Sequence, residues 1–176
     1  LMVDMLNYGA AAQLRFNNRM DDLAVNQLTA AQFAYGTDAV PNVSAELKEV
    51  SNTGATVKFL KKTLSLQSSI ELQFLISLGG YSLEELEARI TVNGTTVKIS
   101  PESYLGSYGM IIYDGIAAKD IRTPVQVTVY NKTTGKVVSN TVQGSMEALA
   151  ATMLPDETDI IYAMLRYGDA AKKVYG

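Results

Sequence analysis

The run Ile70-Glu71-Leu72-Gln73-Phe74-Leu75-Ile76-Ser77-Leu78 places an apolar residue at every second position, with Glu71, Gln73 and Ser77 between them. A period of two belongs to a strand with one face buried and one face wet. Five successive inward positions make a strand long enough to cross a domain core. The same alternation returns in Val125, Val127 and Val129, with Gln126, Thr128 and Tyr130 pointing outward.

Turn chemistry extends this reading in both directions. Within Thr91–Val97, Asn93-Gly94 supplies the two positive-φ residues of a tight I′ turn, which predicts a hairpin. Thr133-Thr134-Gly135-Lys136 predicts a second turn, joining a strand over 125–131 to one over 136–142. Further strands are expected at 47–52, 56–66 and 108–113. Seven or eight strands at this spacing make residues 47–142 an Ig-like antiparallel β-sandwich, bracketed by N- and C-terminal α-helices.

The brackets are residues 1–46 and 143–176. In the first, Met2, Met5, Leu6, Gly9, Ala12 and Phe16 follow the spacing of one buried helix face. Asn17-Asn18 stops that helix. An irregular connector follows, pinned by Leu23, Val25 and Leu28, with a capping-box turn at Thr29-Ala30-Ala31-Gln32 and a break at Pro41-Asn42. In the second, Ser145 opens a short helix through Leu154 that Pro155 closes. Asp156 or Thr158 then caps a final helix to Tyr175, with Ile161, Met164, Leu165, Gly168, Ala171 and Tyr175 on its buried face.

The two outer helices share a phrase. Met5-Leu6-Asn7-Tyr8-Gly9-Ala10-Ala11-Ala12 returns as Met164-Leu165-Arg166-Tyr167-Gly168-Asp169-Ala170-Ala171, identical at six of eight positions, and an aromatic follows at the same distance each time, Phe16 and Tyr175. A segment repeated at both edges of one unit is the mark of a tandem array. Glycine inside a helix costs about 1 kcal/mol against alanine. Gly9 and Gly168 therefore imply close packing, with Ala12 and Ala171 extending a flat patch and Tyr8 and Tyr167 flanking it. The helices meet either a sheet or each other.

These motifs resemble a module that recurs in large secreted or cell-surface proteins of Gram-positive gut anaerobes. The resemblance runs through residues 5–13, Phe16-Asn17-Asn18, Asp22-Leu23-Ala24, Leu64-Ser65-Leu66 with 70–74, Gly115–Ile121, 125–130 and 165–175. It implies a cell-surface or cell-wall location and neighbouring modules of the same polypeptide. The family has no established activity, so no functional residue carries over from it. Gln143-Gly144-Ser145-Met146 departs from the Tyr-Ser-Val run of other members, which bears on the local turn and not on the fold.

Composition narrows the chemistry. The 176 residues contain no Cys and no His. Imidazole–nucleophile pairs, thiolate nucleophiles and thiolate or imidazole metal sites are therefore out of reach. Fifteen basic residues are scattered against eighteen acidic ones, for a net charge of −3, which argues against nucleic acid. No apolar run approaches the roughly 20 residues of a spanning helix.

Candidate sites are few. Glu84, Glu85 and Glu87 follow Ser82 and read as a capped helix start rather than as a glycosidase pair. Residues 17–22 are rich in oxygen ligands but lack the EF-hand spacing. Gly79-Gly80 lacks the Lys-Ser/Thr of a phosphate loop. Lys58 or Lys61, Glu71 and Asn140 are the parts of an isopeptide crosslink, although they read as outward residues. Ten tyrosines and no Trp leave Tyr81, Tyr104, Tyr108 and Tyr113 as the candidate binding surface for a glycan or protein; the same rings would otherwise cap the sandwich ends. The expected function is a non-catalytic structural or adhesive module of an exported protein, without metal or cofactor. The alternatives are a binding module built on those tyrosines and, residually, a carboxylate hydrolase.

Overall fold

The alternating segment forms a strand, Glu71–Ser77, whose Leu72, Phe74 and Ile76 are wholly buried. The structure is a computed structural model that describes residues 1–19, 21–24, 47–66, 69–152 and 158–176. The expected contacts of Val25 and Leu28, the turn at Thr29–Gln32, the break at Pro41-Asn42, the Pro155 stop and the Asp156 cap lie outside those residues.

The described residues contain strands β1 (Lys48–Val50), β2 (Lys58–Ser65), β3 (Glu71–Ser77), β4 (Leu86–Val92), β5 (Thr95–Ile99), β6 (Glu102–Tyr104), β7 (Tyr108–Tyr113), β8 (Val125–Asn131) and β9 (Val137–Gly144). The helices are α1 (Met2–Phe16), α2 (Met146–Ala151) and α3 (Thr158–Tyr175). One antiparallel sheet has the order β1-β9-β8-β4-β5 and the other β2-β3-β7-β6. The fold is mainly β with flanking helices, and the strand order is consistent with the Ig-like reading. The chain changes sheet between β1 and β2, β3 and β4, β5 and β6, and β7 and β8, so neither sheet forms alone.

Local chemistry fixes the turns and the crossings. Asn93 and Gly94 both have positive φ, 50° and 76°, and close β4 on β5. Between β3 and β4, Gly79 sits at φ +62°, and a Cβ there would lie 2.6 Å from the Thr56 backbone. That position admits only glycine, because conformation and space both exclude a side chain. Thr56 and Val57 donate to the Val138 carbonyl, each at 3.0 Å, which ties the start of β2 to β9 in the other sheet.

One core serves strands and helices together. Phe74, Ile90, Ile111, Val127 and Val142 from the sheets share a single cluster with Met146 and Leu149 of α2 and Ile161, Met164 and Leu165 of α3. Helices α2 and α3 therefore complete the sandwich core. Ser145 caps α2 by accepting from the Ala148 amide at 3.1 Å, and α2 packs on β2.

Three expectations need correction. Glu84–Glu87 do not start an α-helix. Leu83–Glu85 is a single 3-10 turn whose capping box closes through Ser82 N–H to Glu85 Oε2 at 2.8 Å. Leu86, Ala88 and Ile90 then alternate into β4, and period-two burial overrides the local helix signal. The inward face assigned to α1 holds in part: Ala12 and Phe16 pack toward the core as expected, together with Tyr8 and Ala11, but Met2 and Met5 are exposed. Tyr175, placed on the buried face of α3, is exposed.

The echoed glycines do not meet each other. Gly168 faces the 3-10 turn Ala118–Asp120, where an added Cβ would stand 3.0 Å from both the Ala118 carbonyl oxygen and Ile121 Cδ1. Gly9 faces Ala24, where an added Cβ would stand 3.2 Å from Ala24 Cβ. Gly168→Leu should therefore overpack the α3 seat and cost about 3 kcal/mol, a fall in Tm of roughly 6–12 °C for a domain of this size. Thermal unfolding by circular dichroism measures this, and an unchanged Tm would contradict the packing described.

Candidate functional site

Two places gather the residues singled out by sequence: the α1–α3 pair and the end of the sandwich that carries the β6–β7 hairpin. The pair forms because α3 buries one face in the core and offers another to α1. Equivalent residues of the repeated phrase meet there: the Tyr8 and Tyr167 rings stack, with centroids 6.2 Å apart and planes 11° off parallel. Arg166 Nη2 reaches Asp4 Oδ1 at 3.4 Å beside them. Burial, with a smaller contribution from Tyr167, pushes the Tyr8 phenol up from 10 to about 12. The Asn7 side-chain amide of α1 is buried without a hydrogen-bond partner among the described residues. Such a group costs about 1–3 kcal/mol.

A second contact fixes α3 from the other side. Arg122 donates from Nε to Asp169 Oδ1 at 2.7 Å and from Nη2 to Asp169 Oδ2 at 3.0 Å, while Nη1 binds Glu147 of α2. Glu147 is only 4% exposed. The bidentate fork to Asp169, then the nearby Glu147, holds the guanidinium still further above its ordinary range. Neither Arg122 nor Glu147 carries a sequence signal for this role, because the charges that meet lie on three separate elements.

At the hairpin end, Tyr104 pairs directly with Tyr108, and both rings are exposed. The Leu78 amide donates to the Ser107 carbonyl at 3.1 Å, so the loop carrying Tyr81 abuts the same end. Tyr81 itself is half-buried against the core. Tyr113 is corrected: at 8% exposure it belongs to the core, because it is an inward position of β7, so it leaves the candidate surface. Leu105 joins that surface instead. It is 77% exposed at the hairpin tip and has φ 43°, a left-handed conformation that a leucine adopts at a cost of about 1–2 kcal/mol. Its position in an irregular turn gave no periodic signal.

The acidic candidates have other duties. Glu87 binds Arg89 Nε at 2.7 Å and faces Lys98 at 3.6 Å; Arg89, then Lys98, hold its carboxyl below the ordinary carboxylate range. Arg89 in turn lies 3.9 Å over the Tyr130 ring. Glu85 closes its capping box, and Glu84 is held down by hydrogen bonds from its own backbone and Ser82. The crosslink parts are not brought together either. Lys58 Nζ donates to Ala55 carbonyl at 2.8 Å, and Glu71 accepts from Ser69 and Gln73. Asn140 Nδ2 instead donates to Glu49 Oε2 at 3.1 Å, and Glu49 also binds Lys62. The Lys62 bond, more than Asn140, keeps the Glu49 carboxyl below its ordinary range. It is an ionised clamp between β1 and β2 of opposite sheets.

Residues 17–22 hold an Arg19–Asp22 ion pair at 2.6 Å; Met20 lies outside the described residues. Among the described residues no three His, Cys, Asp or Glu side chains gather as a metal set, and no helix is long and apolar enough to cross a membrane. No family model matches the chain, and no match was found among curated proteins or solved structures.

The raised Tyr8 phenol has a definite consequence. Above about pH 10 tyrosine in the unfolded chain ionises while folded Tyr8 keeps its proton. The unfolded state then binds fewer protons, so stability falls as pH rises through 10 toward about 12. Urea unfolding at about pH 9 and about pH 11 should show this loss, and Tyr8→Phe should make it shallower. An equal loss in both proteins would contradict a buried Tyr8.

Proposed function

We propose that the chain is a non-catalytic structural module of an exported, multidomain bacterial protein, displayed at the cell surface or wall and flanked by similar modules. The observation that carries this reading is the stacked Tyr8–Tyr167 pair, in which two copies of one phrase form a joint. Residues that catalysts use elsewhere serve here as caps, clamps and ladder pairs. Glu87 answers Arg89 and Lys98, Glu49 answers Lys62 and Asn140, and Glu147 answers Arg122.

A second reading is an adhesive module that contacts a glycan or protein through the hairpin end. The strained, exposed Leu105 between Tyr104 and Tyr108 favours it, since strain at a tip persists where geometry serves contact. One experiment separates the two. The purified protein is incubated with a panel of soluble polysaccharides and passed over the same glycans immobilised. The structural reading expects neither hydrolysis nor retention. Retention that Tyr104→Ala with Tyr108→Ala abolishes would replace it with the adhesive reading, and hydrolysis would overturn both.

A further inference from the structure

The two copies of the repeated phrase have different surroundings, and the difference is specific. In α3, the face formed by Ile160, Ile161, Met164, Leu165, Gly168 and Ala171 is sealed against the sandwich core and the Ala118–Asp120 turn. Counted back by the 159 positions that separate Met164 from Met5, the same face on α1 is Leu1, Met2, Met5, Leu6, Gly9 and Ala12. There Met2 is 74% exposed and Met5 44%, where Ile161 and Met164 are both 0%. Leu1 and Leu6 are half-buried, and among the described residues Gly9 meets Ala24 from the connector. The chain thus contains one helix whose docking face is sealed and another whose corresponding face leaves Met2 and Met5 exposed.

The occupied copy says what covers the empty one. Methionine and leucine at adjacent positions, a glycine one turn on and an alanine after it suit a sandwich end with a 3-10 turn against the glycine, because that is what they fit in α3. The face also continues directly from the α1–α3 contact made by Tyr8, so an added sandwich would abut the existing joint. We propose that α1 is the sandwich-docking helix of a preceding β-sandwich of the same build, so that successive units share one helix and repeat every 159 residues. The correspondence breaks at one pair: Ala10 stands where Asp169 receives Arg122, so the preceding sandwich makes no such ion pair with α1. This rests on the structural-module reading and names the partner of its joint.

The test is a fusion in which residues 1–159 precede the full chain, so that Leu1 of the second copy takes the place of Ile160 in the first. A single helix with the α1 sequence must then close the upstream sandwich and begin the downstream unit. Both units should resist limited proteolysis, with the upstream Tm within about 10 °C of the single chain, the allowance covering the missing Arg122–Asp169 link. Met5→Glu in the shared helix should lower the upstream Tm, while Met5→Glu in the single chain should leave Tm unchanged. An upstream unit that stays unfolded or is digested while the downstream unit survives overturns the proposal. So does a single-chain Met5→Glu that destabilises like a core substitution, whatever the fusion does. Either failure leaves the glycan panel silent, so it is distinguishable from failure of the structural-module reading, which shows as turnover or retention.

Discussion

The structure depends on α3 being clamped across the sandwich. Ile161, Met164 and Leu165 fill the core from one side, and each buried side chain of that size is worth about 1.5–3 kcal/mol against exposure. Arg122 sets the position of the helix by gripping Asp169 in two places while engaging the buried Glu147. A buried carboxylate without its partner is far costlier than the pair is favourable, so the Arg122 cluster acts as a constraint on geometry more than as a source of stability. Gly168 then lets the α3 backbone approach the Ala118–Asp120 turn. With α3 fixed, Tyr167 is presented at one position and α1 has a defined place to stack.

Many charged residues on the sheets serve to hold the fold together. Lys62, Glu49 and Asn140 join the two sheets at one edge. Lys98, Glu87, Arg89 and Tyr130 form a ladder across β5, β4 and β8. Exposed ion pairs of this kind add little individually, so their value lies in keeping outward faces polar and in register. The exposed apolar residues include the Met2–Met5 face and the Tyr104–Leu105–Tyr108 tip. A module that joins its neighbours at one place and presents a contact at another would leave such surfaces.

Much of the sheet was legible because burial imposes a period of two that sequence displays directly. Leu72, Phe74 and Ile76, and Val125, Val127 and Val129, point where alternation places them. Asn93-Gly94 was legible for a local reason, since few other pairs accept two positive φ values. Glu84–Glu87 misled because a capping box is satisfied by one turn of 3-10 helix as well as by an α-helix. Met2 and Met5 misled differently. Periodicity identifies an apolar face but not whether its partner is present, and here a similar pattern is covered in α3 and leaves Met2 and Met5 exposed in α1. Tyr113 and Tyr108 show the same limit on one strand, where strand parity, invisible in a cluster of tyrosines, buries one ring and exposes the other.

The central claim is that α1 is held by its counterpart in the repeat rather than by the sheets. Hydrogen-exchange mass spectrometry of the intact chain and of Tyr167→Ala tests it most directly. The account predicts that Tyr167→Ala accelerates exchange across α1 while amides of β3, β4 and β8 exchange as before. Unaltered protection of α1 in that variant, or loss of protection spread evenly over helix and sheets, would contradict it.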